Sequence, residues 1–296
     1  MVHPVFRNVL ARRYEPIKAK HPAEGRRKWR LRVLYESWPE LASDASNMAN
    51  MAEIDSNSPP SFETDPDPMD PIQDSEELGV VIRTDFSNEE AWSAFCQQVQ
   101  TAQKELMSDI TNGDPNADHE GTSTDVAMQE VSEQAGNVND EESDESSDEG
   151  MISDIIKFIN PTEEAERAQL TNISNITALR LFNDTDIRQA PSPGPNVKRI
   201  SPPHPLIDQN GWQEIYTGKN LWVFDARSNN DGCVRVVSQT GDFYGTATGD
   251  SWRARASHIC ELQFNMSYSG LKIDFDGQDR WDWNERVRNL QESIRL

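Results

Sequence analysis

Apolar and polar positions along the chain change period several times, and the changes divide it into elements. Leu78-Gly79-Val80-Val81-Ile82-Arg83-Thr84 is a short apolar run rich in β-branched residues, which predicts a buried strand. Ser87 then opens a helix, with Glu90 three residues on as its capping-box partner. Ala91, Trp92, Phe95, Val99 and Leu106 recur at three-to-four spacing and carry that helix to about Met107. Ile155–Ile159 predicts a second strand. Asn160 as N-cap and Pro161 at the first helical position predict a short helix to about Leu170. Ile176–Phe182 fits strand or helix equally. Leu221–Asp225 and Cys233–Val237 predict two more strands, with a further one over Phe243–Thr248. Trp252–Phe264 predicts a helix that Ser251 caps, and Glu285–Ile294 a terminal helix with Val287, Leu290 and Ile294 on its apolar side. Alternating strands and helices predict an α/β fold: a small mixed sheet of about four or five strands with flanking helices.

Composition restricts how much of the chain that fold takes up. The hydrophobic fraction is 35 % and the net charge −23, a combination that leaves part of a chain unable to offset its ordering entropy. Eight Trp and ten Phe nevertheless require a core. The acidity is local: residues 35–76 and 108–150 contain no Lys or Arg, and the second stretch ends in Asp140-Glu141-Glu142-Ser143-Asp144-Glu145-Ser146-Ser147-Asp148-Glu149. We therefore expect residues 1–76 to be disordered, basic and then acidic. A single α/β domain over 77–296 is expected to follow, interrupted by a disordered acidic insertion at 108–150 and a Pro-rich loop at 190–211. Ser146 with Glu149 three residues on suits an acidophilic kinase, and phosphate in an already negative loop should affect folding little.

Charge and cysteine usage bound the partners and the compartment. The acidic balance argues against nonspecific nucleic-acid binding, which needs Lys and Arg against phosphates, and favours a protein partner with a basic surface. No run of 18 apolar residues exists, so neither a transmembrane helix nor a membrane partner is expected. Cys96, Cys233 and Cys260 lack paired spacing and read as reduced thiols, which together with the missing signal peptide points to the cytoplasm or nucleus. Arg12-Arg13 followed by Arg26-Arg27-Lys28-Trp29-Arg30 fits a two-part nuclear import signal. A mitochondrial presequence is opposed by Pro4, Pro16 and Pro22, and an extension without a role is the third reading.

Few residues point to chemistry. Arg83, Asp85 and Asp225 fall at or just past the ends of predicted strands, where open α/β sheets bind ligands, so they are the candidate site for a small polar molecule. The alternative is that Asp85 shapes the turn into the helix and Arg83 pairs with a structural acid. Gly249-Asp250-Ser251 is similar to an esterase nucleophile block but lacks an Asp-x-x-His partner. His258 and Cys260 allow a Cys–His pair, although a buried thiol is the simpler reading. Histidines are too few for a metal site, and neither Gly-x-x-x-x-Gly-Lys nor Gly-x-Gly-x-x-Gly occurs, so no metal or cofactor is expected. Of Trp281 and Trp283, one should pack on the core and the other can serve an interface, the alternative being that docking of the terminal helix buries both.

Ile82-Arg83-Thr84-Asp85-Phe86-Ser87-Asn88-Glu89-Glu90-Ala91-Trp92 resembles the opening of an uncharacterised domain family, a domain of unknown function found in actinobacteria and filamentous fungi. Trp222-Val223-Phe224-Asp225 and Val234-Arg235-Val236-Val237 are similar to its later strands. Glu261-Leu262-Gln263-Phe264-Asn265 and Leu271-Lys272-Ile273-Asp274-Phe275 are similar to its final helix and Asp-Phe ending. The resemblance covers the ordered parts of 78–280 and implies a small α/β domain with no assigned activity. The functional expectation is thus a noncatalytic interaction protein, with an enzyme or small-ligand binder at the strand ends as the alternative.

Overall fold

The computed structural model of the chain describes residues 2–44, 58–112, 154–192, 198, 200–239, 246–271 and 282–296. Five strands form the central sheet in the order β2-β1-β5-β6-β7. They are β1 (Gly79–Arg83), β2 (Ile156–Ile159), β5 (Asn220–Phe224), β6 (Cys233–Ser238) and β7 (Asp250–Arg255). β1 is parallel to β2 and β5, and β6 and β7 continue the sheet antiparallel, so it is mixed. Period-two alternation sorts its residues onto two covered faces. Val81, Trp222, Phe224, Val234, Val236 and Ala254 pack under α5 (Glu89–Asn112) and α9 (Ile259–Tyr268). Val80, Ile82, Leu221, Val223 and Val237 pack under α7 (Asn175–Phe182) and the segment after α6 (Glu164–Leu170).

A second sheet of two antiparallel strands, β3 (Asp184–Gln189) and β4 (Trp212–Thr217), flanks the first. It carries the N-terminal region, which corrects the expectation that residues 1–76 lack structure. α1 (Pro4–Lys20) and α2 (Arg26–Asp44) form a hairpin, followed by the single turns α3 (Ser61–Thr64) and α4 (Asp70–Gln73). Pro4 sits at the start of α1, where a missing N–H is harmless. Val5, Phe6, Val9, Leu10, Tyr14 and Ile17 face Trp29, Val33, Leu34, Trp38 and Leu41, and Ile187 and Trp212 of the ribbon close that core. The Trp212 indole donates to the Leu41 carbonyl at 3.2 Å.

The basic cluster of this region is folded inward. Arg26 reaches Asp70 at 2.5 Å and Asp184 at 2.7 Å, and Arg27 reaches Asp67 at 2.6 Å. Arg30 donates to the Thr185 carbonyl at 2.6 Å and faces Asp184 at 3.3 Å. The acids expected in a solvated linker and the arginines expected in an import signal thus neutralise one another, with all three arginines buried. Such pairing offsets the desolvation that makes unpaired buried charge costly.

Other boundaries moved for local reasons. The helix expected over Trp252–Phe264 is a strand, a 3-10 turn at Ala256–His258 and then α9. Trp252 and Ala254 face the core while the arginines between and after them do not, a two-residue period that the helical reading overlooked. Ser251 is accordingly a buried strand residue and caps no helix. α5 begins after Asn88, whose side chain accepts from the Ala91 N–H at 3.0 Å, so Asn88 and not Ser87 is the cap. Asn160 does not cap α6, which begins at Glu164. Ile176–Phe182 belongs to a helix, with Ser174 accepting from the Thr177 N–H at 3.1 Å.

The acidic insertion lies outside the described residues from 113 to 153, and its first residues, 108–112, complete α5. Of the strand expected over Phe243–Thr248, residues 243–245 lie outside the described residues and 246–248 form no strand; Trp281 and part of the Pro-rich loop also lie outside them.

Candidate functional site

Because β1, β2 and β5 are parallel, their C-terminal ends share one edge, and Arg83, Asp85, Asn160 and Asp225 follow directly from it. The sequence-derived residues are therefore brought to one place. Each is also occupied there. Arg83 is fully buried; its Nε donates to the Asp85 carbonyl at 2.9 Å. Its Nη1 donates to Glu89 at 2.7 Å and to Asn160 Oδ1 at 3.2 Å, and its Nη2 to the Asn88 carbonyl at 3.3 Å. The guanidinium stacks on the Phe86 and Trp92 rings, 5.2 Å from each centroid. This is the structural pairing weighed against a ligand role.

Asp85 Oδ1 accepts from the Ser87 N–H at 3.0 Å and from Asn229 Nδ2 at 2.7 Å, tying the β1 turn to α8 (Ser228–Asp231). Burial pushes its carboxyl up, but the hydrogen bonds from Ser87 and Asn229 outweigh that and hold it below the ordinary range. Asp225 is held harder. Arg253 grips both of its oxygens, at 2.9 and 3.1 Å, Arg235 approaches at 3.2 Å, and the Ser228 N–H donates at 3.0 Å. Burial again pushes the carboxyl up, and the two arginines pull it down past its usual value. Arg235, Arg253, Ser228 and Asn229 were not singled out from the sequence. The one available signal was Arg253 and Arg255 at alternate positions of β7, which a strand sets on a common face.

The sign of the pH dependence follows. A carboxyl whose folded value is depressed contributes stability above its unfolded value, and that contribution is lost as pH falls through the folded one. Asp225→Asn should lower the Tm at pH 7 and flatten its fall below about pH 4, where the unfolded carboxyl titrates. Asp85→Asn should do the same more weakly. Thermal melts from pH 2.5 to 7 check this, and an unchanged acid limb in Asp225→Asn would overturn it.

The remaining motifs do not assemble. His258 is exposed, whereas Cys260 is buried with its thiol toward the Val99 carbonyl at 3.6 Å, and burial pushes that thiol up to about 12. Among the described residues no group of three or more His, Cys, Asp or Glu is placed to hold a metal, and no helix is long and apolar enough to cross a membrane. A cleft of about 220 Å³ does open, but at the opposite edge of the sheet, between Lys219 at the start of β5 and Gln239 after β6. None of Arg83, Asp85 and Asp225 lines it.

Compared with protein-family models, with curated proteins and with solved structures, the chain gives no match.

Proposed function

We propose that the chain is a noncatalytic interaction protein: an α/β body that carries a strongly acidic segment for a protein partner with a basic surface. The observation that carries this reading is the engagement of Arg83 and Asp225 by protein groups at the strand-end edge. A site for chemistry keeps donors or acceptors for its substrate; here Arg83 and Asp225 are committed to protein groups, and Asn229 Nδ2 binds the β1 turn to α8. That favours a structural role for Arg83 and Asp225; beside them Asn229 Oδ1 and Arg253 Nε are buried without a hydrogen-bond partner among the described residues.

The charge distribution supports the kind of partner. Residues 113–153 hold thirteen Asp and Glu and no Lys or Arg, so this segment alone carries more than half of the net charge of −23. Within the body, by contrast, acids and arginines pair with each other. A surplus of one sign raises association rates with oppositely charged surfaces and does so less at high salt. The resemblance to an uncharacterised domain family adds an expected fold and no competing chemistry.

The test is retention of core histones, used as a strongly basic protein probe, by the immobilised full chain and by a chain lacking 113–150. The full chain should retain them at about 0.15 M salt, near physiological ionic strength, and the deletion should lose most of that retention. Equal retention by both, or none by either, overturns the reading.

A further inference from the structure

The last helix, α10 (Trp283–Glu292), is docked the wrong way round for an amphipathic helix. Sequence periodicity expects Val287, Leu290 and Ile294 to face the core. Instead the buried stripe is Glu285, Asn289 and Ser293, at four-residue spacing. Trp283 and Ile294 are 63 % and 61 % exposed, and Val287 and Leu290 only half-buried.

Docking therefore rests on polar contacts. Glu285 accepts from the Asn175 N–H at 2.6 Å and pairs with Arg235 at 3.0 Å. Asn289 accepts from the Ile176 N–H at 3.2 Å and donates to the Thr248 and Gly249 carbonyls, each at 3.0 Å. Gly249 has φ +65°, and a Cβ there would press on Asn289 at 3.4 Å. Glu292 accepts from Ser174 and Thr177, so three side chains of α10 cover the N-terminus of α7. Beyond the helix, Arg180 donates to the Ser293 and Arg295 carbonyls at 2.9 and 2.6 Å, and Tyr35 donates to that of Ser293.

Removing one partner of a buried polar pair is costly because the other is stranded. Here several of the body-side partners have a second partner that stays behind. Arg235 keeps Asp225 at 3.2 Å. Arg180 keeps Glu214 and the Tyr216 hydroxyl, both at 3.0 Å, and Tyr35 keeps Glu214 at 2.6 Å. Ser174 keeps its cap on Thr177, and the freed N–H groups of Asn175 and Ile176 meet water at a helix end. On the other side α10 carries its own support: Asp282 accepts from the Glu285 N–H at 3.1 Å, and Arg288 pairs with Glu292 at 2.8 Å one turn on. Separation also parts Arg286 from Asp250 at 3.6 Å, Arg288 from the Asn172 carbonyl at 2.5 Å and the Leu290 carbonyl from His204 at 2.9 Å, contacts that water must replace.

We propose that α10 is a detachable arm: it leaves and rejoins the body as a unit while the five-stranded sheet stays folded. Undocking uncovers the N-terminus of α7 and frees both faces of the helix. The inference is independent of the acidic-segment reading, since it concerns one folded state opening to another.

Hydrogen exchange of the full chain, followed by mass spectrometry, tests it. Peptides within 286–292 should exchange at least about 100-fold faster, after correction for intrinsic rates, than those of β1 and β5, because local opening costs less than global unfolding. Glu285→Gln should speed α10 by a further factor of about 10, the loss of roughly one charged hydrogen bond, and leave β5 unchanged. Exchange of α10 at the rate of β5 overturns the proposal. So does a Glu285→Gln variant in which both elements accelerate together, or in which α10 does not respond.

Discussion

A chain beginning at residue 45 should fail to form the native protein, although its missing part reads by composition as a dispensable basic extension. The N-terminal hairpin supplies eleven apolar residues from Val5 to Leu41 to a core that Ile187 and Trp212 complete. Full burial of one such side chain is worth about 1.5–3 kcal/mol, so the part of this sum facing the ribbon rivals the 5–15 kcal/mol by which a typical domain is stable. Truncation does further harm. Asp67, Asp70 and Asp184 lose Arg26 and Arg27 and become a cluster of like charges, and Asp186 loses the His3 N–H at 3.0 Å. We expect the truncated chain to be aggregated, or soluble with strong dye binding to exposed apolar surface and no cooperative melt for the β3–β4 region. Trp212→Ala in the full chain is the milder form and should cost about 3–5 kcal/mol. A truncated chain that melts cooperatively within a few degrees of the full one would falsify this account.

The same residues show what was legible in the sequence. β1, β2, β5, β6 and α5 were placed within a few residues because their burial comes from their own composition: short, mostly apolar runs, or one apolar stripe. α1 and α2 carry an equally regular stripe, with Trp29, Val33, Trp38 and Leu41 at three-to-five-residue intervals. It was masked by arginines that only become buriable once Asp67, Asp70 and Asp184 approach, and those contacts span 40 to 158 residues. β3 has a single apolar residue, Ile187, in six, so no periodic signal exists there; pairing with β4 and the hairpin above it makes the strand. For the site, the positions of Arg83, Asp85 and Asp225 at the strand ends followed from the runs before them. Their occupation did not, because Arg253 and Asn229 come from other elements, and a carboxylate reads the same whether it awaits a ligand or already holds an arginine.

Arg83 is the residue for which these two readings differ most, and its removal has the second large expected effect. Its guanidinium ties the β1 end to Asn160 after β2 and to the first turn of α5, and fills the space between Phe86 and Trp92. Arg83→Ala strands the Asp85 carbonyl, leaves that of Asn88 with the Trp92 N–H alone, and opens a cavity under two aromatic rings. The combined loss should be about 3–5 kcal/mol, in the range of large-to-small core changes, or roughly 10 °C in Tm for a chain of this size. The conservative variants separate the contributions. Arg83→Met restores volume against the rings and should recover about half of the loss, as far as packing accounts for it. Arg83→Lys keeps the charge but not the planar fork that reaches Glu89, Asn160 and two carbonyls together, so it should be no better than Met. Were Arg83 instead kept for a ligand, alanine would leave the melt nearly unchanged, and lysine, which preserves the charge, would be the mildest replacement. Thermal and urea unfolding of the three variants therefore distinguish a structural arginine from one held in reserve, and near-wild-type stability of Arg83→Ala would return the strand-end edge to the list of binding sites.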